Sequence, residues 1–141
     1  MQPEKMERPS VGVATVVTKD GKILLGKDLR KGEELYAVPG GHWESGETLK
    51  ECAAREVLEE SGVTCTNVQM IAVYDFFRAD KNKSYVSIGM RAEYVSGDLS
   101  DQHEEGRTEW AWYTPDEALA LHLFAPDKVF IERFKSGVVL E

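Results

Sequence analysis

Apolar and polar positions alternate in blocks along most of the chain. Val11 to Thr18 is dense in β-branched residues and predicts a strand. Lys19-Asp20-Gly21 is a hairpin turn signal, and Lys22 to Gly26 predicts the returning strand. Glu34 to Val38 reads as a short strand that stops at Pro39-Gly40-Gly41, with a loop to Glu47. Thr48, followed three residues later by Glu51, forms a capping box, and Gly62 stands where a helix-terminating glycine belongs. A helix is therefore predicted over Leu49 to Ser61. Strands are predicted over Val68 to Phe77 and Ser84 to Val95, joined by a charged loop from Arg78 to Lys83. An acidic loop runs from Ser96 to Thr108, and a strand from Glu109 to Tyr113. Thr114-Pro115-Asp116-Glu117 opens a second helix, and Asp127 to Lys135 predicts a last one. The sum is an α+β domain, a mixed sheet with helices against it.

Composition narrows the choice of chemistry. A chain of 141 residues suits one domain, 1–141, with residues 1–9 expected to be a flexible tail. The net charge of −8 argues against a stable nucleic-acid complex, which needs a basic face. No apolar run reaches the ~18 residues of a membrane span, and Met1 to Ser10 lacks the apolar stretch of a signal peptide. Cys52 and Cys65 are too few for a disulfide framework; as free thiols they fit a reducing cytoplasm.

The stretch from Gly41 to Val63 reads GHWESGETLKECAAREVLEESGV. At about 100° per residue, Glu59 lies roughly 60° to one side of Glu56 and Glu60 roughly 40° to the other, so the three share a helix face. Ala53, Ala54, Val57 and Leu58 occupy another arc, expected to pack on the sheet. Two like charges about 4 Å apart cost about 4 kcal/mol at an effective dielectric near 20. Three glutamates with Glu47 just before them are explained by something positive in their midst: Arg55, or a hard cation such as Mg²⁺ that prefers carboxylate oxygen. A solvated acidic face is the alternative on composition alone.

The spacing favours the positive partner through a resemblance. A glycine, five residues, Glu, seven residues, Arg-Glu, an aliphatic, any residue, Glu-Glu, any residue, Gly and an aliphatic resembles the box of the Nudix hydrolases. It is met at Gly41, Glu47, Arg55, Glu56, Val57, Glu59, Glu60, Gly62 and Val63. Seven of these positions demand one residue type; at a usage of roughly 7% each, a chance match is on the order of 10⁻⁸.

The resemblance implies a Nudix-type sheet sandwiched between helices. It implies Mg²⁺, with Mn²⁺ as a substitute, held by Glu56, Glu59 and Glu60 with the backbone carbonyl of Gly40. A late-loop acid also joins the metal in the family; of Glu104, Glu105 and Glu109, Glu105 is favoured here. Arg55 and Glu47 are expected to form a pair that orients a metal glutamate. The family keeps no universal base, so Glu56, Glu59 or a later glutamate takes that role.

His42, Trp43 and Tyr85 are the candidate substrate contacts, drawn from His42 and the aromatics Trp43, Tyr74, Phe77, Tyr85, Trp110 and Trp112; Lys27, Arg30 and Lys31 are candidates for phosphate contact. No Walker loop, zinc spacing or calcium loop is present. Val38-Pro39-Gly40-Gly41-His42, Tyr85-Val86-Ser87-Ile88 and Glu109-Trp110-Ala111-Trp112 resemble the branch that splits (deoxy)nucleoside triphosphates, damaged ones included, into monophosphate and pyrophosphate. The alternatives are nucleoside diphosphate sugars, dinucleoside polyphosphates or capped RNA ends as substrates, or a non-catalytic nucleotide-binding module. The family's habit and the apolar Val138-Val139-Leu140 admit a homodimer.

Overall fold

The structure, a computed structural model, describes residues 7–28, 34–100 and 107–140. Its first strand β1 (Ser10–Lys19) turns back through Asp20 and Gly21 into β2 (Lys22–Asp28). Both turn residues have positive φ, 51° and 77°, which is the primed turn that matches strand twist. The two strands pair only at Thr18↔Ile23 and Lys19↔Lys22, next to the turn. Beyond that they part. β2 pairs with β3 (Leu35–Ala37) and β7 (Arg107–Tyr113), both antiparallel. β1 pairs antiparallel with β4 (Gly40–His42) and parallel with β6 (Lys83–Ser96). β6 continues antiparallel to β5 (Thr64–Arg78). Among the described residues these make one mixed sheet of seven strands.

Helix α1 (Leu49–Ser61) begins as its capping box predicts: Thr48 Oγ1 accepts the Glu51 N–H at 3.1 Å, and Glu51 Oε1 accepts the Thr48 N–H at 2.8 Å. Gly62, at φ 86°, ends it, because only glycine enters the left-handed region at no steric cost. Helix α2 (Pro115–Leu119) uses the same device at Thr114 and Glu117. Helix α3 (Ala125–Ser136) starts two residues before the predicted Asp127. Pro126 fits the first turn, where a helix needs no backbone N–H.

The helices cover both faces of the sheet. Alternate residues of β1 point to opposite sides. Ala14 and Val16 join Ile71, Phe130 and Ile131 beneath α2 and α3, while Val13 meets Cys52 and Ala53, and Val17 meets Val57, beneath α1.

Two expectations need correction. The loop predicted after Pro39 contains a strand: Gly40 to His42 pair with Ala14, Val13 and Gly12. Glycines carry no side-chain pattern, so the pairing is invisible to periodicity. The core face of α1 is also not the arc of Ala53, Ala54, Val57 and Leu58. Leu58 is 48% exposed and Ala54 only half-buried, whereas Glu56 and Glu60 are buried at 6% and 4%. The buried arc holds Cys52, Ala53, Glu56, Val57, Glu60 and Ser61. Two carboxylates lie inside it because the strand opposite presents backbone rather than side chains.

The α3 side of the sheet is tightest at Gly89, where an added Cβ would collide with the Phe130 ring, itself fully buried. Gly89→Ala should therefore cost about 1–3 kcal/mol of stability by overpacking. Urea unfolding measures it, and a wild-type midpoint would refute the packing described.

Candidate active site

The strand β4 and helix α1 meet across a very short gap. A Cβ on Gly41 would collide with the carboxylate of Glu56, and one on Gly40 would collide with the Val13 carbonyl. The missing side chain at Gly41 makes the space that Glu56 occupies, and the one at Gly40 lets β4 close on β1. Gly40 donates its N–H to Glu60 Oε1 at 2.7 Å, giving a buried carboxylate a backbone partner.

Arg55 ties the remaining carboxylates together. Its Nε and Nη2 donate to the two oxygens of Glu47 at 2.9 and 2.7 Å, a bidentate pair. Its Nη1 donates to Glu56 Oε1 at 2.8 Å and to Glu59 Oε2 at 3.2 Å, and Nη2 also reaches the His42 carbonyl at 3.1 Å. One guanidinium thus fixes the loop before α1, two helix glutamates and the end of β4. The hydrogen bond from Arg55 holds the Glu47 carboxyl down near 2, and the same bond to Glu47 pushes Arg55 above its ordinary value. Cys52 lies beside them, its thiol pushed up to about 12, first by burial and then by Glu47. It is a packing residue in its protonated form.

Among the described residues no three His, Cys, Asp or Glu side chains are disposed to hold a metal ion between them. The described donors are two buried carboxylates, Glu56 and Glu60, with Glu59 half-exposed at their edge. That set fits Mg²⁺, which binds through one or two carboxylates plus waters and substrate phosphates rather than in an all-protein cage. The absent side chain at Gly41 leaves room for the Glu56 carboxylate against the backbone, which keeps that donor next to β4. Glu104 and Glu105 lie outside the described residues, as do Arg30 and Lys31. Glu109 pairs with Lys27 at 3.5 Å, and Lys27 with Glu34 at 3.5 Å.

A cleft of about 200 Å³ opens on the other side of β4. Gly40, Gly41 and His42 form its wall toward the glutamates, and Phe76, Tyr85 and Phe124 its aromatic part. Phe76 and Tyr85 stack with centroids 5.4 Å apart, and Phe124 stands edge-on to Phe76 at 5.8 Å. Asp127 lies in its lining, 2% exposed, with Oδ2 accepting the Val38 N–H at 3.0 Å.

Of the expected substrate contacts, His42 and Tyr85 line this cleft. Trp43 does not; it is 46% exposed and donates its indole N–H to the Glu47 carbonyl at 2.9 Å. Trp110 is buried in the core with Val17 and Val57, Trp112 packs on Tyr94, and Phe77 is 58% exposed. Phe76, Phe124 and Asp127 also line the cleft and are not among the candidates the sequence offers. For Asp127 a signal existed: it heads the stripe Asp127, Phe130, Ile131, Phe134, an acid on the apolar face of its helix.

A family model described as NUDIX domain matches residues 6–134. A protein from Escherichia coli K12 named Phosphatase NudJ is 40% identical over 76 residues, 54% of this chain and 50% of that protein. The chain spans about half the length of the curated relatives it matches. Among solved structures, a NUDIX hydrolase from Nitrosomonas europaea superposes with a TM-score of 0.81 at 29% identity, covering 94% of this chain and 92% of that one. A MutT NUDIX hydrolase from Burkholderia pseudomallei gives 0.80 at 25% identity, covering 90% and 98%. Among the described residues no helix is long and apolar enough to cross a membrane.

Because the folded Glu47 carboxyl titrates below its ordinary 4.5, its contribution to stability is complete above about pH 4.5 and is lost as pH falls toward 2. Glu47→Gln should lower the urea midpoint at pH 7, and the gap between variant and wild type should narrow from pH 5 to pH 3. A gap that stays constant over that range would show that the Arg55 pair does not hold the carboxylate.

Proposed function

The chain belongs to the Nudix family, and on that premise we propose that it is a Mg²⁺-dependent pyrophosphohydrolase that splits (deoxy)nucleoside triphosphates into monophosphate and pyrophosphate. The observation that carries this reading is the pair of buried carboxylates, Glu56 and Glu60, beneath a side-chain-free strand beside an aromatic cleft.

Glu56 and Glu60 are the residues that would hold the metal, with Glu59 at the rim. A bound Mg²⁺ supplies neutralisation of phosphate oxygens and lowers the pKa of a coordinated water. The chain supplies the rest. Arg55 keeps Glu56 and Glu59 in place while it is itself fixed by Glu47. Gly40 and Gly41 let β4 lie close against β1 and the Glu56 carboxylate, which sets the donors beside the cleft. Phosphoryl transfer needs positioning and charge neutralisation more than covalent help, and these residues offer both. The general base is drawn from Glu56 and Glu59.

The cleft is smaller than the ~300–1,000 Å³ typical of whole-ligand sites, so it suits the nucleoside part alone, base and sugar, with the hydrolysed phosphates running out past His42 toward α1. Phe76, Tyr85 and Phe124 provide apolar ring surface, and Asp127 provides an acceptor. An acceptor favours a base edge that carries amino or ring N–H donors over one that carries only carbonyls. The overall charge of −8 leaves affinity to the metal and these local contacts.

The relative named a phosphatase favours a second reading, release of the terminal phosphate. Hydrolysis of a dNTP panel with Mg²⁺ in ¹⁸O-labelled water separates the two. Label in monophosphate or pyrophosphate is the expected result, and Glu60→Gln should reduce kcat by at least ~10²-fold with the fold retained. Inorganic phosphate as the sole phosphorus product supports the second reading, and near-normal turnover by the variant contradicts the role given to Glu60.

A further inference from the structure

The sheet face that carries the cleft continues past it. In the β5–β6 ladder, Ala72 pairs with Gly89, Tyr74 with Ser87, Phe76 with Tyr85 and Arg78 with Lys83. These rungs alternate by two residues, so their side chains share one face. Helix α3 covers that face where Phe130 packs on Gly89, and its cover ends at Phe124, which stands against Phe76. The next rung outward is cationic. Arg78 lines the cleft, and so does Lys81 on the turn that follows.

The two ends of the cleft have opposite character. Ser87 pairs with Gly12, and Gly12 with His42, so the phosphate end lies level with Ser87. Lys83 is four residues further along β6, roughly 13 Å at ~3.3 Å per residue. Arg78 is held in place by Asp80, through Nε at 3.2 Å and Nη2 at 2.8 Å. Lys81 is exposed and makes no ion pair among the described residues. A simple nucleoside triphosphate has one anionic end, which the metal site takes. Cations at the far end of the same cleft, on a protein of charge −8, are left without a role in that substrate.

We propose that Arg78 and Lys81 form a second anion subsite, which takes a phosphate group on the sugar side of the nucleotide, away from the hydrolysed chain. The inference rests on the nucleotide reading of the cleft given above. It assigns the substrate to nucleotides that carry phosphate at two separate positions. The second phosphate is either a 3′-phosphomonoester or the diester that leads to a following nucleotide.

Equilibrium binding with Mg²⁺ present tests this without hydrolysis, using guanosine 5′-monophosphate, guanosine 3′,5′-bisphosphate and the dinucleotide pGpG. The wild-type protein should bind the bisphosphate or the dinucleotide about tenfold more tightly than the monophosphate, a difference of about 1.4 kcal/mol. Whichever ligand gains identifies the phosphate as monoester or diester. The preference should shrink in high salt, since both cations are partly solvated. The double variant Arg78→Gln, Lys81→Gln should bring the affinities together. Equal wild-type affinity for all three ligands overturns the subsite. The hydrolytic reading is judged separately by the triphosphate assay and survives that outcome.

Discussion

Two glutamates are buried on the inner face of α1, and the rest of the site follows from how that is tolerated. An ionised carboxylate removed from water carries a penalty of several kcal/mol unless hydrogen bonds and opposite charge replace the solvent. Here the replacements come from the neighbouring backbone and one side chain. The Gly40 N–H serves Glu60, and the Arg55 guanidinium serves Glu56. Neither works without the glycines, because a side chain at position 41 would take the volume that Glu56 fills. Close backbone approach and buried charge are thus one constraint.

The same constraint places the cleft. β4 must lie against α1 with no side chain at Gly40 or Gly41 in the way of Glu56 and Glu60, and it does so by pairing with β1 after β1 has parted from β2. That leaves Gly40, Gly41 and His42 as a thin wall with carboxylates on one side and an aromatic hollow on the other. A ligand that spans the wall meets hard oxygen donors at one end and ring faces in the middle. The global charge of −8 says little about such a ligand, because the local field is set by Arg55, by any bound cation and by Arg78 and Lys81.

The features that are local in the chain were legible in the sequence. The capping boxes at Thr48 and Thr114, the turn at Asp20-Gly21 and the stop at Gly62 each depend on residues within four positions, and each stands as read. The shared face of Glu56, Glu59 and Glu60 follows from helical period alone. Which face is buried did not follow. Pattern reasoning sends carboxylates to water, and only the glycine strand opposite reverses that for Glu56 and Glu60. The aromatic cleft is the least legible part. Phe76, Phe124 and Asp127 come from β5 and the start of α3, some fifty residues apart, and Phe76 has no local mark that separates it from a core aromatic. Asp127 did carry one, as an acid leading an apolar helical stripe.

On the proposed reading, Glu56 and Glu60 are buried in order to hold a divalent cation. A Mn²⁺ titration followed by electron paramagnetic resonance tests it without any substrate. The wild-type protein should take up Mn²⁺ at a saturable site, and Glu56→Gln, Glu60→Gln should weaken that uptake at least ~10-fold while circular dichroism stays native. Unchanged Mn²⁺ affinity in a folded double variant would contradict the claim.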